Sequence, residues 1–100
     1  MAIVEVSIVP LGTGTSSLSN YVARVIKVLQ TESGIKYELT GMGTILEGDL
    51  GQILAIIQKM HATVFSDEVS RVYTVIKIDD RRDKTATITG KVESVKKKLA

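Results

Sequence analysis

Residues 2–10, AIVEVSIVP, place Val4, Val6 and Ile8 on one side and Ile3, Glu5, Ser7 and Val9 on the other, the period-2 signature of a β-strand. Pro10 offers no amide hydrogen to a ladder, and the LGTGTSS that follows carries two glycines, so the strand is expected to stop there. From about residue 17 to residue 33, Val22, Val25, Ile26 and Leu29 recur at helical spacing, with Ser17 or Ser19 as cap and Gly34 as the stop. Two short runs, KYELT at 36–40 and TILE at 44–47, flank Gly41-Met42-Gly43 and predict a hairpin. Asp49 is the expected cap of a second helix, whose stripe is Leu50, Ile53, Leu54 and Ile57, with Met60 or His61 one turn on. Residues 70–79 alternate Val72, Thr74, Ile76 and Ile78 against Arg71, Tyr73, Val75 and Lys77, a second long strand. After the charged turn DDRRDK, a last helix from about Gly90 carries Val92, Val95 and Leu99 on one face.

The order β-α-β-β-α-β plus a C-terminal helix, joined by right-handed crossovers, predicts one ferredoxin-like α+β sandwich over residues 1–100, with both main helices on one sheet face. The other face then shows Ile3, Val9, Tyr73 and Val75 beside Glu5, Ser7 and Lys77. That surface is apolar enough to call for a cover, and a second copy of the chain is the nearest candidate.

With 100 residues, 44% hydrophobic and 24% charged, the chain fits one globular domain. It has no cysteine, which excludes disulfides, thiolate nucleophiles and Cys-based metal sites. With no leader-like N-terminal run, a cytoplasmic protein is expected. One Phe, three Tyr and no Trp leave the core to aliphatic side chains. Thirteen basic against eleven acidic residues give a net charge of +2, too even a balance to imply nucleic acid, and Lys96, Lys97 and Lys98 read as a solvated helix tail. No apolar run approaches the roughly 20 residues that cross a bilayer.

Candidate chemistry is sparse. PLGTGTSSLSNY offers a Gly-rich turn before a helix, as a phosphate cradle would, but without the Gly-Lys-Ser/Thr ending; a hydroxyl-rich strand-to-helix connection explains it equally well. His61 is the single histidine, so no imidazole cluster holds a metal, and a structural role is expected of it. Glu5 and Glu47 project from strands where a charge needs a partner, either Lys77 or a cationic ligand. In IDDRRDK the charges neutralise one another as in a solvated turn, with bidentate contacts from Arg81 and Arg82 to a neighbouring subunit as the alternative.

VSIVPLGTGTSSLSNYV, GMGTILEG and RVYTVIKIDDRRDK, in this order, resemble the small thiamine-binding (YkoF-like) family of ferredoxin-like proteins, over nearly the whole chain from Val6 to Leu99. The resemblance implies a homo-oligomer, commonly a tetramer built from dimers, that carries or senses thiamine or its hydroxymethylpyrimidine portion rather than catalysing a reaction; no metal or further cofactor is expected. Ser7, Ser17, Ser19, Thr44 and Glu47 match family motif positions, and Tyr21 stands one helical turn beyond Ser17. They supply the hydroxyls, carboxylate and aromatic face that an aminopyrimidine and a thiazolium call for. Glu47 would counter the ligand charge or accept its exocyclic amine, and Glu47→Gln would then weaken thiamine binding. Many relatives have proline where this chain has Gly41, which gives the hairpin turn more freedom here.

Other readings of the same topology fit less well. An acylphosphatase would need a cation in the loop after the first strand, and none lies between Pro10 and Asn20. An RNA-binding module would stack bases on aromatics in its two central strands, which have none. A sensor module for another small metabolite, such as an amino acid or a phosphorylated compound, remains the alternative to a thiamine-binding protein.

Overall fold

The computed structural model describes residues 1–32, 34–85 and 87–100. Among these, the elements are β1 (Ala2–Leu11), α1 (Ser19–Gln30), β2 (Lys36–Leu39), β3 (Thr44–Gly48), α2 (Leu50–Val64), β4 (Arg71–Asp80) and α3 (Ile88–Leu99). The strands form one antiparallel sheet in the order β2-β3-β1-β4, the predicted ferredoxin-like topology. Register puts Val4 between Leu46 and Ile78, and Val6 between Thr44 and Ile76. On that face Ala2, Val4, Val6 and Leu46 are buried with Val25 and Leu29 of α1 and Ile53, Ile56, Ile57, Met60 and Val64 of α2. Leu54, expected in the α2 stripe, lies about 100° round the axis from Ile53 and is exposed.

Asp49 caps α2 as expected, its Oδ2 accepting the Gln52 N–H at 3.0 Å. Neither Ser17 nor Ser19 caps α1. Leu18 is the N-cap, without a side-chain bond, and its carbonyl accepts the N–H groups of Tyr21 and Val22 at 3.0 Å. The loop hydroxyls serve the loop instead: Thr15 Oγ1 accepts the Ser17 N–H at 3.2 Å, and the Thr13 hydroxyl donates to the Thr15 carbonyl at 2.9 Å. Helix α1 ends at Gln30, ahead of the expected span; Ser33, the last residue of that span, lies outside the described residues.

Pro10 does not end the first strand. β1 stays paired with β4 through Pro10↔Val72 to Leu11↔Arg71, while its pairing with β3 ends at Val6↔Thr44. A Cβ on Gly43 would stand 2.8 Å from the Val6 carbonyl oxygen, so Val6 turns its main-chain groups towards the hairpin. Alternation aims those of Ile8 and Pro10 the same way. The hydrogen that proline lacks would therefore have pointed past the end of β3, and no ladder bond is lost.

On the opposite face, Ile3, Glu5, Ser7 and Val9 pair across β1–β4 with Asp79, Lys77, Val75 and Tyr73. Glu5 finds its partner within the sheet, 3.6 Å from Lys77 Nζ. Helix α3 starts at this face, two residues earlier than expected, because Thr87 Oγ1 accepts the Gly90 N–H at 2.9 Å and caps it. The Lys91–Asp79 ion pair ties its first turn down, yet none of its residues is buried. Among the described residues, no helix is long and apolar enough to cross a membrane.

Candidate functional site

Strand lengths decide where a cavity forms. β1 has ten residues and β3 only five, so beyond Val6 the edge of β1 that should carry a neighbour is vacant. A cavity of about 140 Å³ opens there. Its floor is Val6 to Val9, its walls are Leu18 at the N-cap of α1, Val22 and Val25 of α1 and Met60 of α2, and its rim is the hairpin from Leu39 to Thr44. Four consecutive strand residues line it although their side chains alternate between the two faces, so the strand presents its edge rather than one face.

The rim is rigid at its base and apolar at its tip. Thr40 N–H donates to the Gly43 carbonyl at 2.8 Å, and the Thr40 hydroxyl donates to the same oxygen at 2.9 Å. Met42, at the tip, is 86% exposed, and Leu39 stands exposed beside the opening. Among the described residues, no charged one lines the cavity. A neutral, flat group with a few hydrogen-bonding positions suits such a site better than a bare cation or anion.

The six residues singled out from the sequence divide between this cavity and other places. Thr44, buried and on the helix face, lines it; Ser7 belongs to its floor, its side chain on the outer face by alternation. Ser17, Ser19 and Tyr21 are not among the lining residues. One side of the Tyr21 ring is taken by the Arg24 guanidinium, 5.4 Å from the ring centroid. Glu47 pairs with Ile3 and Lys36 on the sheet face opposite the cavity walls, is only 7% exposed, and accepts the Ile88 N–H at 3.2 Å through Oε2. Its carboxylate thus meets the N-terminus of α3, where a negative charge is favoured. Sequence reasoning missed Val22, Val25 and the open edge at Ile8. The signal for that edge was the long first strand set against the short TILE run.

The remaining candidates are engaged locally. His61 Nδ1 lies 2.7 Å from the Thr74 hydroxyl, and its ring meets Phe65 edge-on at 5.4 Å. Arg81 bonds Asp83 through two nitrogens and Arg82 bonds Asp80 at 3.3 Å, so these arginines neutralise their own loop. The guanidinium of Arg81 holds the Asp83 carboxyl below its ordinary range. A broader, polar cleft of about 470 Å³ lies at the other end of the sheet, between the N-cap Asp49 with Leu50 of α2 and Asp80, Arg81, Arg82, Lys84 and Thr85.

Comparison with known proteins agrees with this fold over 94% of the chain. The chain is 51% identical over 102 residues to the UPF0045 protein YqgV of Bacillus subtilis, covering 99% of this chain and 98% of the relative. It is 43% identical over 100 residues to a UPF0045 protein of Methanothermobacter thermautotrophicus, covering 99% and 100%. The crystal structure of hypothetical protein MJ1052 from Methanocaldococcus jannaschii superposes with a TM-score of 0.85 at 44% identity, covering 94% of each chain. The family model described as "Thiamine-binding protein" matches residues 4–96, and the chain, with its complete ferredoxin-like sheet and helices, belongs to that family.

Proposed function

We propose that this protein binds thiamine without catalysing its conversion, holding the hydroxymethylpyrimidine portion in the cavity beside the open edge of β1. The observation that carries the reading is the cavity itself, found in a chain of the thiamine-binding family and lined by apolar walls with a few hydroxyl and main-chain groups. Its volume of about 140 Å³ is close to the roughly 150 Å³ that accommodates one benzene in an engineered apolar cavity. One six-membered ring with small substituents fills it. The thiazolium would project through the mouth beside Leu39 and Met42, where its charge stays near water.

Self-association belongs to the same proposal. Tyr73 and Val75 on the outer face, Ile76 and Ile78 on the uncovered part of the helix face, and Val92, Val95 and Leu99 of α3 are all exposed in the single chain. A second copy, in a dimer or a tetramer built from dimers, would shelter them and place the ligand at or near a subunit boundary.

Calorimetry tests the ligand. Thiamine and free hydroxymethylpyrimidine are expected to bind saturably with one site per chain. Val22→Phe, which adds a ring to the cavity wall, is expected to weaken both at least tenfold while circular dichroism stays unchanged. Wild-type protein that takes up neither compound, or a Val22→Phe variant that binds as the parent does, contradicts the assignment.

A further inference from the structure

We infer that the ligand is read by main chain, with the N–H and C=O of Ile8 pairing with the adjacent ring nitrogen and exocyclic amine of an aminopyrimidine, so that the heterocycle takes the place of the next β3 residue. The inference rests on the pyrimidine reading above and adds the group that recognises it. In an antiparallel sheet a residue sends its N–H and C=O to the same side, and successive residues alternate. Val6 faces the hairpin, as its carbonyl near Gly43 shows, and exchanges its bonds within the Val6↔Thr44 pair. Ser7 and Val9 therefore serve β4, opposite Val75 and Tyr73. Ile8 faces the cavity, and no partner for its amide or carbonyl is found among the described residues.

A donor and an acceptor on one extended residue form a fixed pair. An aminopyrimidine carries the complement on one edge, a ring nitrogen that accepts and a neighbouring amine that donates. The groups are flat, neutral and of a size the cavity admits. A peptide strand would make poorer use of the same edge. The next residue facing that way is Pro10, which has no N–H, so an added strand finds one complete pair and then a missing donor. The proline that leaves β1 intact thus also reserves its edge for something one residue wide. Specificity by main chain further explains a lining with so few polar side chains.

The test uses the wild-type protein, uniformly 15N-labelled, titrated with 4-amino-5-hydroxymethyl-2-methylpyrimidine and with the same ring lacking the 4-amino group. With the amino compound, the Ile8 amide proton is expected to move downfield and to exchange with solvent at least tenfold more slowly. The Ser7 and Val9 amides, already bonded towards β4, should change little in exchange. The compound without the amine is expected to bind at least tenfold more weakly, since the Ile8 carbonyl is then left unpaired. If the amino compound binds while the Ile8 amide stays unmoved, or if both compounds bind equally, main-chain reading is overturned and the ligand assignment stands. If neither pyrimidine nor thiamine binds, the assignment falls and this inference falls with it.

Discussion

At the scale of single residues, Glu47 shows how a buried charge is kept in a small domain. It is nearly sealed on the outer face, where a carboxylate without partners would cost several kcal/mol. The first N–H of α3 and the positive end of that helix supply the compensation, with Thr87 capping the same turn. Glu47→Ala is expected to lower stability by about 1–2 kcal/mol in chemical denaturation. It should also raise hydrogen exchange in the first turn of α3. A Glu47→Ala protein of unchanged stability that has lost thiamine affinity would instead place this carboxylate at the ligand. Pro10 teaches a related lesson: its effect depends on which side of the strand its nitrogen faces, and only pairing in the sheet decides that.

At the scale of elements, the β4–α3 connection is stabilised from within. Arg81 lowers the Asp83 pKa, and a carboxylate depressed in the folded state adds stability above its unfolded value and loses it as pH falls through the folded one. Both side chains are exposed, so the contribution is screened. A 13C-detected titration is expected to place the Asp83 midpoint below that of an ordinary aspartate, and Arg81→Ala to return it. A midpoint unaffected by that substitution contradicts the pairing. Which elements form was legible in the chain, because alternation over 2–10 and the apolar repeats at 22–29 and 50–60 each bury one face, and alternation over 70–79 marks a strand although β4 buries neither face in the single chain. Where they end was less so. Leu18 caps α1 through its main chain although two serines stand beside it, and Thr87 starts α3 two residues early. Much of the candidate site escaped for the same kind of reason: Thr44 and Ser7 lie at the cavity, but Ile8 contributes a main-chain edge without a partner among the described residues, which no residue type announces.

At the scale of the whole molecule, the single chain is longer than its size requires. Its radius of gyration is 15.0 Å and its extents are 48 × 29 × 19 Å, against about 13 Å for a compact chain of 100 residues. Helix α3, whose Leu99 is 80% exposed, and the β4 edge, whose Ile78 is 49% exposed, account for apolar surface that the fold itself leaves open. On the reading proposed above, elongation and open apolar surface favour assembly, and the cavity beside Val6–Val9 of β1 suits a small flat guest. Native mass spectrometry of the purified protein under titration with thiamine reads both together. The account predicts an assembly with an even number of chains that gains one ligand mass per chain and then saturates. A bare monomer that gains no ligand mass at concentrations far above those of the protein would contradict it.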